Sequence, residues 1–103
     1  MKNKSLSGSV GRTARNLFDD VRLLQYLLNC VPVLRGGPTR ELVVDGVCGP
    51  RTVRAIIVFQ RALLGANCGR VDPSRRTFRA LLAHDPYPPQ PLPPSNGAGG
   101  TPW

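Results

Sequence analysis

Two stretches of this chain carry the same punctuation, and nothing else in it constrains the fold as tightly. Asp45-Gly46-Val47-Cys48-Gly49-Pro50 leads into Thr52-Val53-Arg54-Ala55-Ile56, and Gly69-Arg70-Val71-Asp72-Pro73 leads into Thr77-Phe78-Arg79-Ala80-Leu81. Each is a glycine turn, then a proline suited to the first turn of a helix, then Thr-(apolar)-Arg-Ala-(apolar). Such a unit cannot bury its apolar face alone, so the two copies must share a core with a further element.

The stretch upstream supplies that element. Val21, Leu24 and Leu28 recur at i, i+3, i+7, the spacing of one helical stripe. A first helix is expected over residues 17–29, with Asn16 as its cap, Asp19 and Asp20 at its positive end, and Pro32 stopping it. Arg22, Tyr26 and Asn29 fall on its opposite face. Residues 35–41 read as a turn-rich loop and residues 42–44 as a short extended piece. The second helix is expected over residues 50–64, started by Pro50 and closed by Gly65. Its apolar arc (Val53, Ile56, Ile57, Phe59, Leu63 and Leu64) is wide enough for the centre of the core. Arg51, Arg54, Val58 and Arg61, at i, i+3, i+7, i+10, form an exposed basic stripe. Asp72 and Pro73 are expected to cap and start a third helix, with Phe78, Leu81 and Leu82 inward and Arg75, Arg76 and Arg79 outward. The expected fold is all-α, a compact three-helix bundle with turn-rich connections. Residues 1–12 read as a flexible arm, 13–84 as the domain, and 85–103 as an extended Pro/Gly-rich tail or linker.

Composition bounds the function. The chain has 103 residues and a net charge of +8, carried by twelve arginines and only two lysines. An anionic partner is implied, and nucleic acid, phospholipid headgroups and the carboxylate-bearing stem peptides of the bacterial wall all qualify. The longest apolar run, residues 55–59, is far too short to span a membrane. No apolar stretch follows Lys2 and Lys4, so no secretory signal peptide is expected. Cys30, Cys48 and Cys68 lack the close ligand pairs of a structural zinc site, even with His84, and read as small, mostly buried thiols that behave as apolar side chains; no metal or cofactor is expected. The carboxylates are accounted for as caps and turn formers, save Glu41 and the tail's Asp85. The opposed pair a glycosidase needs is missing, as is any base with an orienting partner near His84, so an enzyme is not expected.

Val21-x-x-Leu24-Gln25-x-x-Leu28, Val44-Asp45-Gly46-x-x-Gly49-Pro50-x-Thr52 and Ala55-Ile56-x-x-Phe59-Gln60, in that order, resemble the peptidoglycan-binding-domain-like family. Gly69-Arg70-Val71-Asp72-Pro73 and Thr77-x-x-x-Leu81 continue the likeness, which covers residues 16–83. The opening Ser9-Val10-Gly11 and the Val-Asp-Pro turn look like a subgroup found with lytic wall enzymes or secreted antibacterial effectors. The resemblance implies a non-catalytic module that binds peptidoglycan, through glycan strands or stem peptides, and targets a lytic enzyme or effector to the wall. It assigns structural roles to Asp45, Gly46, Gly49, Pro50, Thr52, Phe59, Gln60, Asp72 and Pro73. Cys48 departs from the family's larger apolar residue, and Val71-Asp72 from its second Gly-Pro. Such a protein, made in the cytoplasm without a signal peptide, is expected to act at the cell envelope or periplasm, after non-classical export or as part of a larger protein.

Candidate ligand-binding residues are Arg51, Arg54 and Arg61, whose planar guanidinium groups suit carboxylates, and Tyr26 with Arg22, which could stack on a sugar ring. Gln25 and Gln60 are expected to satisfy loop backbone. Two other functions fit in part. A protein-interaction adaptor of the same fold, in a secretion or effector system, would anchor partners on Val58, Tyr87 and Trp103. A basic three-helix nucleic-acid-binding protein would need a tighter connection than residues 65–71 and base-reading amides on the third helix, so no specific nucleic acid is expected.

Overall fold

A computed structural model describes residues 4–65, 68–73 and 75–86. Helix α1 runs Phe18–Asn29. Its apolar stripe buries Val21, Leu24, Leu27 and Leu28 completely. Asn16 does not cap it. The cap position is Leu17, with no side-chain cap bond, because Asn16 is turned back at φ +53°. The Asn16 amide instead accepts from the Gly11 N–H (2.7 Å) and donates to the Gly11 carbonyl (3.0 Å). After α1 a 3-10 turn, Val33–Arg35, ends at Gly36 in the left-handed region.

Helix α2, Pro50–Leu64, has proline in its first turn and Gly65 in the left-handed conformation at its end, as expected. Ala55, Ile56 and Phe59 are buried. The inward face is narrower than the expected arc: Val53 and Ile57 are half-buried and Leu63 is exposed. Thr52 and Gln60, both polar, take up the remaining inward positions. Helix α3 spans Arg76–Leu82, and Phe78 and Leu81 are buried while Leu82 is half-buried. It starts later than expected. Its cap position is Arg75, without a side-chain cap bond. Asp72 is occupied elsewhere, accepting from Ser9 Oγ (2.6 Å) and Arg70 Nε (3.0 Å).

The all-α expectation is corrected by a small two-stranded sheet. Strand β1, Val10–Gly11, pairs antiparallel with β2, Arg70–Val71, in the register Val10↔Val71 and Gly11↔Arg70. Gly11 is needed there: its φ is +120°, and a Cβ would stand 2.1 Å from the Gly69 carbonyl oxygen. Residues 4–12 are therefore not a flexible arm. Leu6 and Val10 join the buried core. Asp20, itself buried, accepts the Ser7 and Gly8 N–H groups at 3.0 and 2.9 Å. Alternation in this segment was too brief to register as a strand, since two paired residues carry almost no period.

The tail begins later than expected, because Asp85 is buried. It pairs with Lys4 (2.8 Å) and accepts from the Tyr26 hydroxyl (3.0 Å), tying both ends of the described chain to α1. The rest of the expected tail, residues 87–103 with Tyr87 and Trp103, lies outside the described residues. No helix among the described residues is long and apolar enough to cross a membrane.

Candidate functional site

Two glutamines organise the interior. Gln25 on α1 is almost fully buried. Its Oε1 accepts the N–H groups of Asp45 and Gly46, both at 3.0 Å. Its Nε2 donates to Asp45 Oδ1 (3.0 Å), the Val47 carbonyl (3.0 Å) and Thr52 Oγ1 (3.1 Å). Gln60 on α2 repeats the scheme. Its Oε1 accepts the Gly69 N–H (2.9 Å), and its Nε2 reaches the Arg70 carbonyl (2.9 Å) and Thr77 Oγ1 (3.4 Å). Each amide thus ties a glycine turn to the threonine of the next helix. The paired punctuation of the sequence is the outer half of a paired clamp.

The turn carboxylates are shaped by these contacts. The Val47 N–H, then the Gln25 amide, hold the Asp45 carboxyl below its ordinary range. The Ser9 hydroxyl, then Arg70, do the same for Asp72.

With its inward positions taken by the core and clamps, α2 turns Arg51, Arg54, Val58 and Arg61 outward, and all four are exposed. Pro50, Arg54 and Val58, at i, i+4, i+8, form a ridge shared by two grooves. The first, about 450 Å³, lies between α2 and the loop from Gly37 to Arg40. Buried Leu42 and Ala55 contribute apolar lining, and Arg40, Arg51 and Arg54 supply three guanidinium groups. The second, about 810 Å³ and more open, lies on the other side of the ridge. It is lined by Val53 and Ile57, by the half-buried Cys48, and by Arg12, Arg54 and Arg61.

The expected stripe is therefore divided: Arg51 belongs to the first groove, Arg61 to the second, and Arg54 to both. Sequence periodicity did not reveal Arg40 and Arg12, which reach the grooves from the 37–40 loop and from just beyond β1. The ion pairs among the described residues are Lys4–Asp85 and Arg70–Asp72, and neither involves these five arginines. The face consequently carries uncompensated positive charge. The start of α2 adds to it, having no acidic residue in its first turn and no side-chain cap.

Tyr26 and Arg22 line neither groove. Tyr26 is half-buried against the core and directs its hydroxyl to Asp85, so it is no open platform for a sugar. Burial first, then Asp85, raises its phenol above the ordinary range. Arg22 is exposed and stands over the Phe18 ring, 5.6 Å from its centroid.

The three cysteines are free thiols. Cys68 is exposed rather than buried as expected, and contacts the Gln60 amide at 3.5 Å. Burial raises the Cys48 thiol pKa. Among the described residues no three metal-ligating side chains converge. His84 meets Phe59 edge-on, with ring centroids 6.2 Å apart. Around the Asp45–Gly46 turn, Phe18, Val43 and Val47 are each more than half exposed. Comparison with family models, with curated proteins and with solved structures finds no significant match.

Proposed function

We propose that this chain is a non-catalytic cell-wall binding module of the peptidoglycan-binding-like type, acting at the bacterial envelope to target a lytic enzyme or effector. The observation that carries the reading is the outer face of α2, where five exposed arginines without ion-pair partners among the described residues rim two grooves of apolar floor. Guanidinium forks recognise carboxylates bidentately, and an apolar floor excludes the water that would otherwise compete. The ordered sequence likeness and the repeated Gln–turn–Thr clamp support the family assignment. A protein-interaction adaptor is the second reading, favoured by the exposed Phe18, Val43 and Val47 beside the Asp45–Gly46 turn.

The test is co-sedimentation with intact peptidoglycan sacculi, using wild type and Arg51→Ala/Arg54→Ala/Arg61→Ala at physiological and high salt, with DNA as the polyanion control. Pelleting that survives high salt and falls at least about tenfold in the triple variant is expected, since charge-assisted bonds contribute roughly 1.5–3 kcal/mol each. Absence of pelleting, or binding to DNA and sacculi alike that disappears with salt, would favour the adaptor.

A further inference from the structure

The two grooves beside the α2 ridge differ in what they can hold, and the difference selects one component of the wall. Among the described residues, the lining of the smaller groove has no aromatic, no carboxylate and no side-chain amide. A sugar ring would find no aromatic stacking surface there, and the Thr39 hydroxyl is the only side-chain acceptor for its hydroxyls among the described lining residues. Bases of a nucleic acid would likewise find no aromatic side chain to stack on among the described lining residues. What the groove does offer is an apolar floor, at Leu42, Ala55 and Val58, and guanidinium groups from opposite walls. Arg40 comes from the loop, and Arg51 and Arg54 from the helix. Its volume, about 450 Å³, suits a few residues of extended peptide and lies within the usual span of small-ligand sites.

Resting on the wall-binding reading above, we propose that this groove takes the wall's stem peptide, with Arg40 and Arg51 gripping its free carboxylates and the floor accepting its small apolar side chains. Three arginines line this groove with no carboxylate beside them among its described lining residues, and like charges gathered in one groove repel, so an anionic peptide would relieve that repulsion. Arg40 is then a specificity-determining residue that helix periodicity cannot reveal, and Arg61, on the far side of the ridge, is not part of this grip. The loop at residues 37–40 sets the width. Gly37 lies so close to the Val31 carbonyl that a Cβ would stand 1.8 Å from its oxygen, which fixes the loop's base.

The experiment uses the full chain and three probes: intact sacculi, glycan strands stripped of peptide, and a soluble tetrapeptide stem, the last also with its terminal carboxylate amidated. Binding is read by sedimentation for the first two and by calorimetric titration for the soluble peptides, with folding of each variant checked by circular dichroism. Wild type is expected to pellet with sacculi but not with stripped glycan, and to bind the free peptide. Arg40→Ala and Arg51→Ala should each weaken peptide binding about tenfold, Arg61→Ala less than about twofold, and amidation about as much as losing one arginine. Equal pelleting with stripped glycan, or peptide binding indifferent to Arg40→Ala, would overturn the assignment while leaving wall binding in place. Failure to pellet with intact sacculi would instead remove the wall reading, and this proposal with it.

Discussion

Replacing Gln25 with alanine tests whether the clamps, rather than the apolar stripes alone, hold the fold. The substitution removes five hydrogen bonds at once. Their fates differ. Asp45 and Val47 are exposed and can turn to water, so those bonds are partly replaced. The Thr52 hydroxyl and the Gly46 N–H sit in buried residues and cannot follow. Two stranded buried polar groups cost about 1–3 kcal/mol each, and the vacated side-chain volume adds to that. The sum is about 3–5 kcal/mol, a large part of the roughly 5–15 kcal/mol available to a domain. Urea unfolding followed by circular dichroism at the helix band should show this loss, with a melting temperature lowered by more than about 12 °C. A cycle with Thr52→Val should return a coupling of about 1 kcal/mol. Gln25→Glu keeps both acceptor bonds to the turn but sets oxygen against Asp45 Oδ1 and the Val47 carbonyl. It should be destabilising at neutral pH and recover in part as the pH falls and the new carboxyl protonates. A loss below about 1 kcal/mol for Gln25→Ala, or strict additivity with Thr52→Val, would refute the clamp.

Three further outcomes follow from the same contacts. Asp20→Ala leaves the Ser7 and Gly8 N–H groups without their carboxylate. It should cost about 2 kcal/mol, and hydrogen exchange should show residues 6–11 opening ahead of α1. Gly37→Ala drives a Cβ into the Val31 carbonyl, a backbone group that cannot swing aside. A loss of about 2 kcal/mol or more is expected by denaturant titration, with peptide binding in the first groove weakened too. The carboxyls of Asp45 and Asp72 are held low in the folded chain. Their stabilising contribution is therefore complete above the ordinary carboxylate range near 4 and is lost as pH falls through the lower folded values. Asp45→Asn and Asp72→Asn should each flatten the acid limb of the stability–pH curve, measured by thermal melts between pH 2 and 7.

What the sequence showed plainly was what periodicity and turn chemistry encode. Val21, Leu24 and Leu28 lie on the expected stripe, α2 keeps its expected bounds between Pro50 and Leu64, and Gln25 and Gln60 do satisfy loop backbone. Misplaced features are those decided by partners outside the helix itself. Asn16 and Asp72 each look like a helix cap from local spacing, but a side chain has limited bonding capacity, and Gly11, Ser9 and Arg70 use it first. Tyr26 reads as an open aromatic until Asp85, far along the chain, takes its hydroxyl. Residues 4–12 look like a polar arm because their two core contributions, Leu6 and Val10, are too few to make a pattern. The site was half legible for the same reason: arginines on α2 follow from helical spacing, whereas Arg12 and Arg40 reach the grooves through tertiary packing.

Among the α-helices of the described residues, α2 alone engages both clamps, through Thr52 at its start and Gln60 toward its end. Those two positions, with Ala55, Ile56 and Phe59 between them, fix its rotation about its own axis. Positions 51, 54, 58 and 61 must then face outward whatever residues occupy them. Fold stability does not ask for arginine there, because any good helix former would serve on an exposed face. Arg51 and Arg54, three apart on that face, repel slightly, by a few tenths of a kcal/mol. No acidic neighbour on α2 offsets them, since the helix contains no Asp or Glu. The fold fixes this arrangement in direction and leaves it mildly unfavourable in the free chain, a repulsion that an anionic partner of the kind proposed above would offset on binding.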